Sequence, residues 1–190
     1  MFRNYSWALV CFALVAAQPV HASHRFVDYP VRPAEEYTNK VIAKGFIVAV
    51  QPVEDANEQK TYFGANLSKR GVLPVLIVIR NTSPSDTCLL DESELGLGEG
   101  QEPTGKGTRK TASELGSGGL LDLSLVTEVS DVRDNLVRRQ LHSGTLAPGG
   151  SISGFVYVPI PTDAPRAKMH LEVPLTNEQS GETAVANLYF

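Results

Sequence analysis

Cysteine is almost missing from this sequence, and that absence removes a whole class of folds. Of two cysteines in 190 residues, Cys11 lies in an N-terminal stretch that reads as removable, leaving Cys88 alone. A single thiol closes no intramolecular disulfide, so the fold must be held by a hydrophobic core. Cys88 precedes Leu89 and Leu90 in a strand-like run. Free cysteine is among the most buried residue types, which predicts a buried structural thiol. An excess of one charge is also lacking: 17 Lys and Arg stand against 21 Asp and Glu, a formal net charge of −4. With the two signs interspersed, the chain has no electrostatic reason to seek nucleic acid or anionic lipid. No apolar run approaches the ~20 residues that span a bilayer, so no transmembrane span is expected. No Gly-x-Ser-x-Gly elbow occurs. The run from Gly100 to Lys106 is followed by Gly107, where a phosphate-binding loop needs Ser or Thr for its magnesium ion. Neither an esterase-type nucleophile nor nucleotide binding is expected.

What is present begins with an export signature over residues 1–22. Arg3 supplies the positive end, Trp7 to Ala17 the short apolar stretch, Pro19 a helix break, and Val20-His21-Ala22 a small-x-small cleavage pattern. The mature chain is expected to start at Ser23 and to work in the periplasm or outside the cell. Removing 22 of 190 residues leaves 168, the size of one domain, and Arg3 is the only charge lost, so the net charge becomes −5.

Residues 23–39 carry Pro30 and Pro33 without a clear period and read as an extended leader, with a single domain over 40–190. Phe46 to Val50 is a β-branched run bounded by Gly45 and Pro52. Residues 53–70 are polar apart from Tyr62, Phe63 and Leu67, and read as a long connection with a docked aromatic pair. Val72 to Arg80 is apolar on both alternating faces, the pattern of a central strand covered on both sides, with Pro74 near its start. Asn81-Thr82-Ser83-Pro84 signals a turn. Short strands are expected at Thr87–Leu90 and around Leu95–Leu97, and a flexible Gly-rich loop over 99–118.

One helix is predicted near 127–142, from Val129, Val132, Leu136, Val137 and Leu141. Arg138, Arg139 and His142 suit its C-terminal end, and Gly144 stops it. Ser151 to Pro159 and Thr183 to Phe190 read as further strands. Between them, Met169, Leu171, Val173 and Leu175 alternate with Lys168, His170 and Glu172, the pattern of a half-buried strand with His170 in solvent. About seven short strands with one inserted helix predict a mainly β fold, an immunoglobulin-like antiparallel β-sandwich.

Two groups of residues also carry a resemblance. One is Tyr62-Phe63-Gly64 with Arg70-Gly71-Val72-Leu73-Pro74-Val75 and Asn81-Thr82-Ser83. The other is Leu136 to Leu141 with Thr145-Leu146-Ala147-Pro148-Gly149 and Gly154-Phe155-Val156-Tyr157-Val158. Together they resemble bacterial secreted and lipoprotein-type β-sandwich proteins. The resemblance covers about half of the mature chain and implies the fold and a cell-envelope location. It carries no catalytic or binding residue across.

A metal site has candidate donors in His24, His142, His170, Cys88 and Met169. A blue-copper centre gathers such donors on one closing loop. Here Met169 and His170 are neighbours in a strand and point to opposite faces. No metal and no cofactor is expected, and Asp91-Glu92-Ser93-Glu94 reads as a solvated turn. The predicted helix holds the remaining candidates. Arg133, Arg138 and Arg139 form a charged face for a partner, whereas Val132, Leu136 and Leu141 form an apolar face that lines a ligand cavity or caps the sandwich. The sequence therefore favours a non-enzymatic module that recognises another envelope or extracellular protein. The alternative is a carrier for a small apolar ligand, with a metal carrier behind it.

Overall fold

Strand β3 (Val72–Asn81) is the spine of the molecule, with nine of its ten residues buried. The computed structural model describes residues 26–99, 110–111, 130–160 and 168–190. The expectations for residues 1–25, for most of the Gly-rich segment and for 127–129 lie outside them. In chain order the elements are β1 (Lys40–Ala43), β2 (Phe46–Pro52), α1 (Ala56–Phe63), β3, β4 (Cys88–Leu90), β5 (Gly96–Glu99), β6 (Lys110–Thr111), α2 (Ser130–Arg139), β7 (Gly144–Leu146), β8 (Ser151–Pro159), β9 (Met169–Asn177) and β10 (Thr183–Tyr189). Among the described residues no helix is long and apolar enough to cross a membrane.

The strands form two antiparallel sheets. The first has the order β1-β2-β3-β8; the second runs β6-β5-β9-β4-β7, with β10 on the other flank of β9. Strand β9 thus pairs β10 along its length, while on its opposite side β5 reaches Glu172 and β4 takes over at Leu175. Pro174 lies at this changeover. Met169 and Asn177 are bonded toward the β10 side through Phe190 and Glu182, so the alternate positions, Pro174 included, face the other flank, where neither strand pairs. A residue without an N–H fits that gap. Pro74 is placed by similar logic, beside the end of β2, where its carbonyl accepts from the Val53 N–H at 2.9 Å.

Alternation along the first sheet sends side chains into two separate cores. Phe46, Val48, Val50, Leu73, Val75, Ile77, Ile79, Val156 and Val158 meet the second sheet, together with Cys88, Leu90, Leu171, Val173 and Leu175. Ile47, Ala49, Val72, Leu76, Val78, Phe155 and Tyr157 point the other way, into a cluster with Phe63, Leu67, Val132 and Leu136. The molecule therefore has three layers: a helical layer, the four-stranded sheet and the six-stranded sheet. The two-faced reading of Val72 to Arg80 is borne out, as is the burial of Cys88.

Several expectations need correction. The connection read over 53–70 contains α1, capped by Asp55, whose side chain accepts from the Asn57 and Glu58 N–H groups, and closed by Gly64 at φ 80°. Among the described residues two helices, not one, accompany the sheets. The leader is not free: Ala34 and Tyr37 are buried in the helical layer, around a short 3-10 turn at Ala34–Glu36. Within the segment read as a flexible loop, Lys110–Thr111 pairs with Gly96 and Leu97. His170 is 6% exposed, not in solvent. Its ring lies over Gly98 of β5, where an added Cβ would come within 2.2 Å of it. The glycines of Gly96-Leu97-Gly98 make the floor for His170 and Glu172, while Leu97 enters the inter-sheet core.

Candidate functional site

The helix expected over 127–142 is described from Ser130 and ends at Arg139. Past it, Gln140 makes a bridge to Phe155, and the Leu141 N–H donates to the Phe155 carbonyl at 2.9 Å. That pairing needs Gly154: a Cβ there would sit 2.4 Å from the Leu141 Cα. Leu141 therefore belongs to the inter-sheet core, whereas Val132 and Leu136 belong to the helical layer. The structure separates three residues that sequence spacing had joined. Val137, also counted on the apolar face, is 47% exposed.

The inward stripe of α2 is Val132, Asn135, Leu136 and Arg139, the i, i+3, i+4, i+7 pattern of one helical face. Two of its four members are polar. Asn135, 1% exposed, donates through Nδ2 to the Tyr62 carbonyl at 2.8 Å, near the end of α1, where carbonyls lack intrahelical partners. Its Oδ1 accepts from Arg139 Nε at 2.9 Å. Arg139 Nη2 then donates to the Val27 carbonyl at 2.6 Å and lies 3.8 Å from the Asp28 carboxylate. One relay thus joins α1, α2 and the leader. Burial pulls the Arg139 guanidinium below its ordinary pKa range, while neighbouring Asp28 opposes that shift.

Beneath the relay the layer is aromatic. Phe63 meets Phe155 edge-on at 4.9 Å between ring centres and Tyr157 at 6.4 Å. The Tyr157 hydroxyl, almost wholly buried, donates to the Leu136 carbonyl at 2.9 Å, and burial drives its pKa far upward. Tyr29 of the leader stands edge-on to Tyr62 at 4.8 Å and to Phe155 at 5.1 Å, and its hydroxyl accepts from Gln51 Nε2 at 3.2 Å. Its pKa is pushed up to about 12, first by burial and then by Glu58.

The three predicted arginines therefore play different parts. Arg133 and Arg138 are exposed, as expected of a charged face. Arg139 is turned inward, with its side chain 12% exposed. Asn135 and the leader residues Phe26, Val27, Asp28 and Tyr29 were missed as members of this layer. A polar pair inside an apolar stripe is invisible to hydropathy, yet the i, i+4 spacing of Asn135 and Arg139 was a readable hydrogen-bonding signal.

The metal candidates are dispersed. Cys88 and Met169 face the inter-sheet core, His142 is exposed, and His170 lies on the outer face of the second sheet, with Nε2 3.6 Å from Glu172 Oε1. Among the described residues no three His, Cys, Asp or Glu side chains converge. The acidic run forms a 3-10 turn, Glu92–Glu94, capped by Asp91. Hydrogen bonds from Ser93 hold the Asp91 carboxyl below its usual range. The Glu92 carboxylate accepts from the Ser143 N–H at 3.1 Å.

No protein-family model matches the chain, and no curated protein matches it. Two solved structures, both structural-genomics targets, are distantly similar in shape. The target SoR45 aligns with a TM-score of 0.41 and 14% identity over 79% of this chain and 87% of its own. A Bordetella pertussis protein bearing the name ApaA aligns with a TM-score of 0.38 and 15% identity over 85% of this chain and 94% of its own.

Proposed function

We propose that this chain is a non-enzymatic interaction module of the cell envelope, periplasmic or secreted, that binds another protein through its helical layer. One observation carries the reading: Arg139 is used inside the molecule, whereas Arg133 and Arg138 of the same helix stay exposed. Val137 of the same helix is one of the large hydrophobic side chains exposed among the described residues. Arginine beside apolar surface is the composition favoured where proteins meet. The exposed face also carries Asp131 and Asp134, so it offers both signs of charge to a partner. The export signature of residues 1–22 supports the envelope location. The carrier alternative gains less support, because Leu136 shares its cluster with Phe63, Phe155 and Tyr157, and Leu141 lies in the other core.

Within this proposal the sandwich is read as an immunoglobulin-like variant. Antiparallel pairing between its strands supports that, as does the passage of the chain between sheets after β3, β7 and β8. The functional test is charge reversal. Arg133→Glu with Arg138→Glu should remove a partner that co-purifies after cross-linking in intact envelopes. Surface changes usually stay within about ±0.5 kcal/mol, so the melting temperature should hardly move. A partner retained by the double variant would refute the assignment.

A further inference from the structure

The way residues 26–33 lie on the helical layer identifies the kind of segment that layer accepts. Phe26 and Tyr29, three residues apart, point inward, and the exposed Arg32 three residues further stacks on Tyr37. The Phe26 ring lies against Gly64, where an added Cβ would meet it at 2.5 Å, with Val132 alongside. Tyr29 enters the slot between Tyr62 and Phe155. The Arg32 guanidinium sits 4.8 Å over the Tyr37 ring, and the Arg32 N–H donates to the Tyr37 hydroxyl at 3.0 Å. Between them Val27, Asp28, Pro30 and Val31 face outward. A period of three is that of the polyproline II helix, and Pro33 holds φ −55° and ψ 144°, close to that conformation. Pro30 and Pro33 bias the segment toward it. An extended, proline-bearing segment laid on an aromatic-lined groove is a recurring mode of peptide recognition.

This seat is only partly buried. No residue of 26–33 is fully buried, whereas Ala34 and Tyr37, just beyond, are 1% and 2% exposed. Full burial therefore starts at Ala34, and the residues before it form a partly exposed strap held through Phe26, Val27 and Tyr29. Such weakly buried segments are the part of a fold that opens at least expense in free energy.

We propose that residues 26–33 are a displaceable strap, and that the slot beneath them receives a polyproline II segment of the partner protein. That segment would place aromatic side chains three residues apart, with an acidic residue between them. Phe26, Asp28 and Tyr29 display this chemistry in the chain's own sequence. The Tyr62–Phe155 slot takes the second ring, Arg139 reads the backbone carbonyl and the acid, and Arg133 and Arg138 stand on the exposed face of the same helix. The inference rests on the interaction reading above and gives its partner a chemical class.

The test uses a labelled peptide with the sequence of residues 26–33 and the full mature chain. A tethered strap competes at an effective concentration of order millimolar, so the unmodified chain should bind the peptide weakly. Tyr29→Ala, which empties the slot from within, should tighten peptide binding at least tenfold, and adding Arg139→Gln should reverse that gain. In the unmodified chain, saturating peptide should speed amide hydrogen exchange across residues 27–32 and leave β3 unchanged, a readout that needs no variant to fold. Equal binding by the unmodified and Tyr29→Ala chains, or strap exchange indifferent to peptide, would overturn the proposal. A concentration-dependent dimer of the unmodified chain, dissolved by the peptide, would assign the slot to a second copy and overturn it as well. If the peptide fails to bind while the partner still depends on Arg133 and Arg138, only the strap inference falls.

Discussion

Arg138 and Arg139 are adjacent and identical in type, yet their surroundings give them opposite roles. Arg139 satisfies the buried Asn135 Oδ1 and the Val27 carbonyl. Arg139→Ala should therefore leave acceptors unpaired and destabilise by about 1–3 kcal/mol, the range for a buried polar group that loses its partner. Arg138→Ala should stay within about 0.5 kcal/mol. Denaturant melts of the two variants check the difference, and equal losses would mean that the relay is not structural. Sequence reading grouped these arginines because charge alone does not say which one faces the leader. Cys88 was more legible, since a lone thiol next to two leucines has an apolar environment written beside it. Its thiol is raised to about 11 by burial, with Glu178 contributing. Iodoacetamide at pH 8 should leave it unmodified in the native chain and label it once the chain is unfolded. Rapid labelling of the native form would contradict its burial.

Strands were easier to find than helices because β-branched runs between turn residues leave a local record. Strand β3 is the clearest case. Ile77, fully buried in the inter-sheet core, should cost about 2–5 kcal/mol when cut to Ala. A loss below about 1 kcal/mol in denaturant melts would show that the core is misplaced. Helix α1 escaped notice because its buried face is thin: Gln59 and Phe63, four residues apart. Gln59 is wholly buried and fully used. Its Nε2 donates to the Val53 carbonyl and Ser68 Oγ, and its Oε1 accepts from the Ser68 N–H. Its capping residues, Asp55 and Gly64, were nevertheless readable. For α2 the error lay at the C-terminal end. Leu141 continues the helical period by position alone, while the chain has already left the helix to pair with β8. In β9 the polar residues at alternate positions suggested solvent, but Gly98 lets the His170 ring lie down on the neighbouring strand.

At the scale of the whole molecule, the three-layer arrangement follows from a central sheet that is apolar on both faces and needs a cover for each. Apolar alternation announced that need in β3, but not which segments would meet it. The cover of the first sheet is made from the leader and two helices, whose inward faces are partly polar, so hydropathy alone could not assign them. Burial on both sides also adds an alkaline dependence to stability. The native chain holds the Cys88 proton to about pH 11 and the Tyr157 proton higher still, against 9.0 and 10.0 for exposed groups. Above about pH 9 these two sites hold fewer protons in the unfolded chain than in the native one, so their contribution to stability falls as pH rises. Chemical denaturation at pH 8 and pH 10.5 should show that fall, and Cys88→Ala should reduce its early part.

If the helical layer meets the partner, rather than either end of the sandwich or its outer sheet, contact should be confined to that layer. Site-specific photo-cross-linking in exporting cells tests it directly, with the probe placed at Val137 on α2 or at Val185 on β10, two positions that are each 46–47% exposed. A discrete cross-linked protein is expected from position 137, lost with Arg133→Glu and Arg138→Glu, and no such product from position 185. The same product from position 185, or one from position 137 that survives charge reversal, would contradict it.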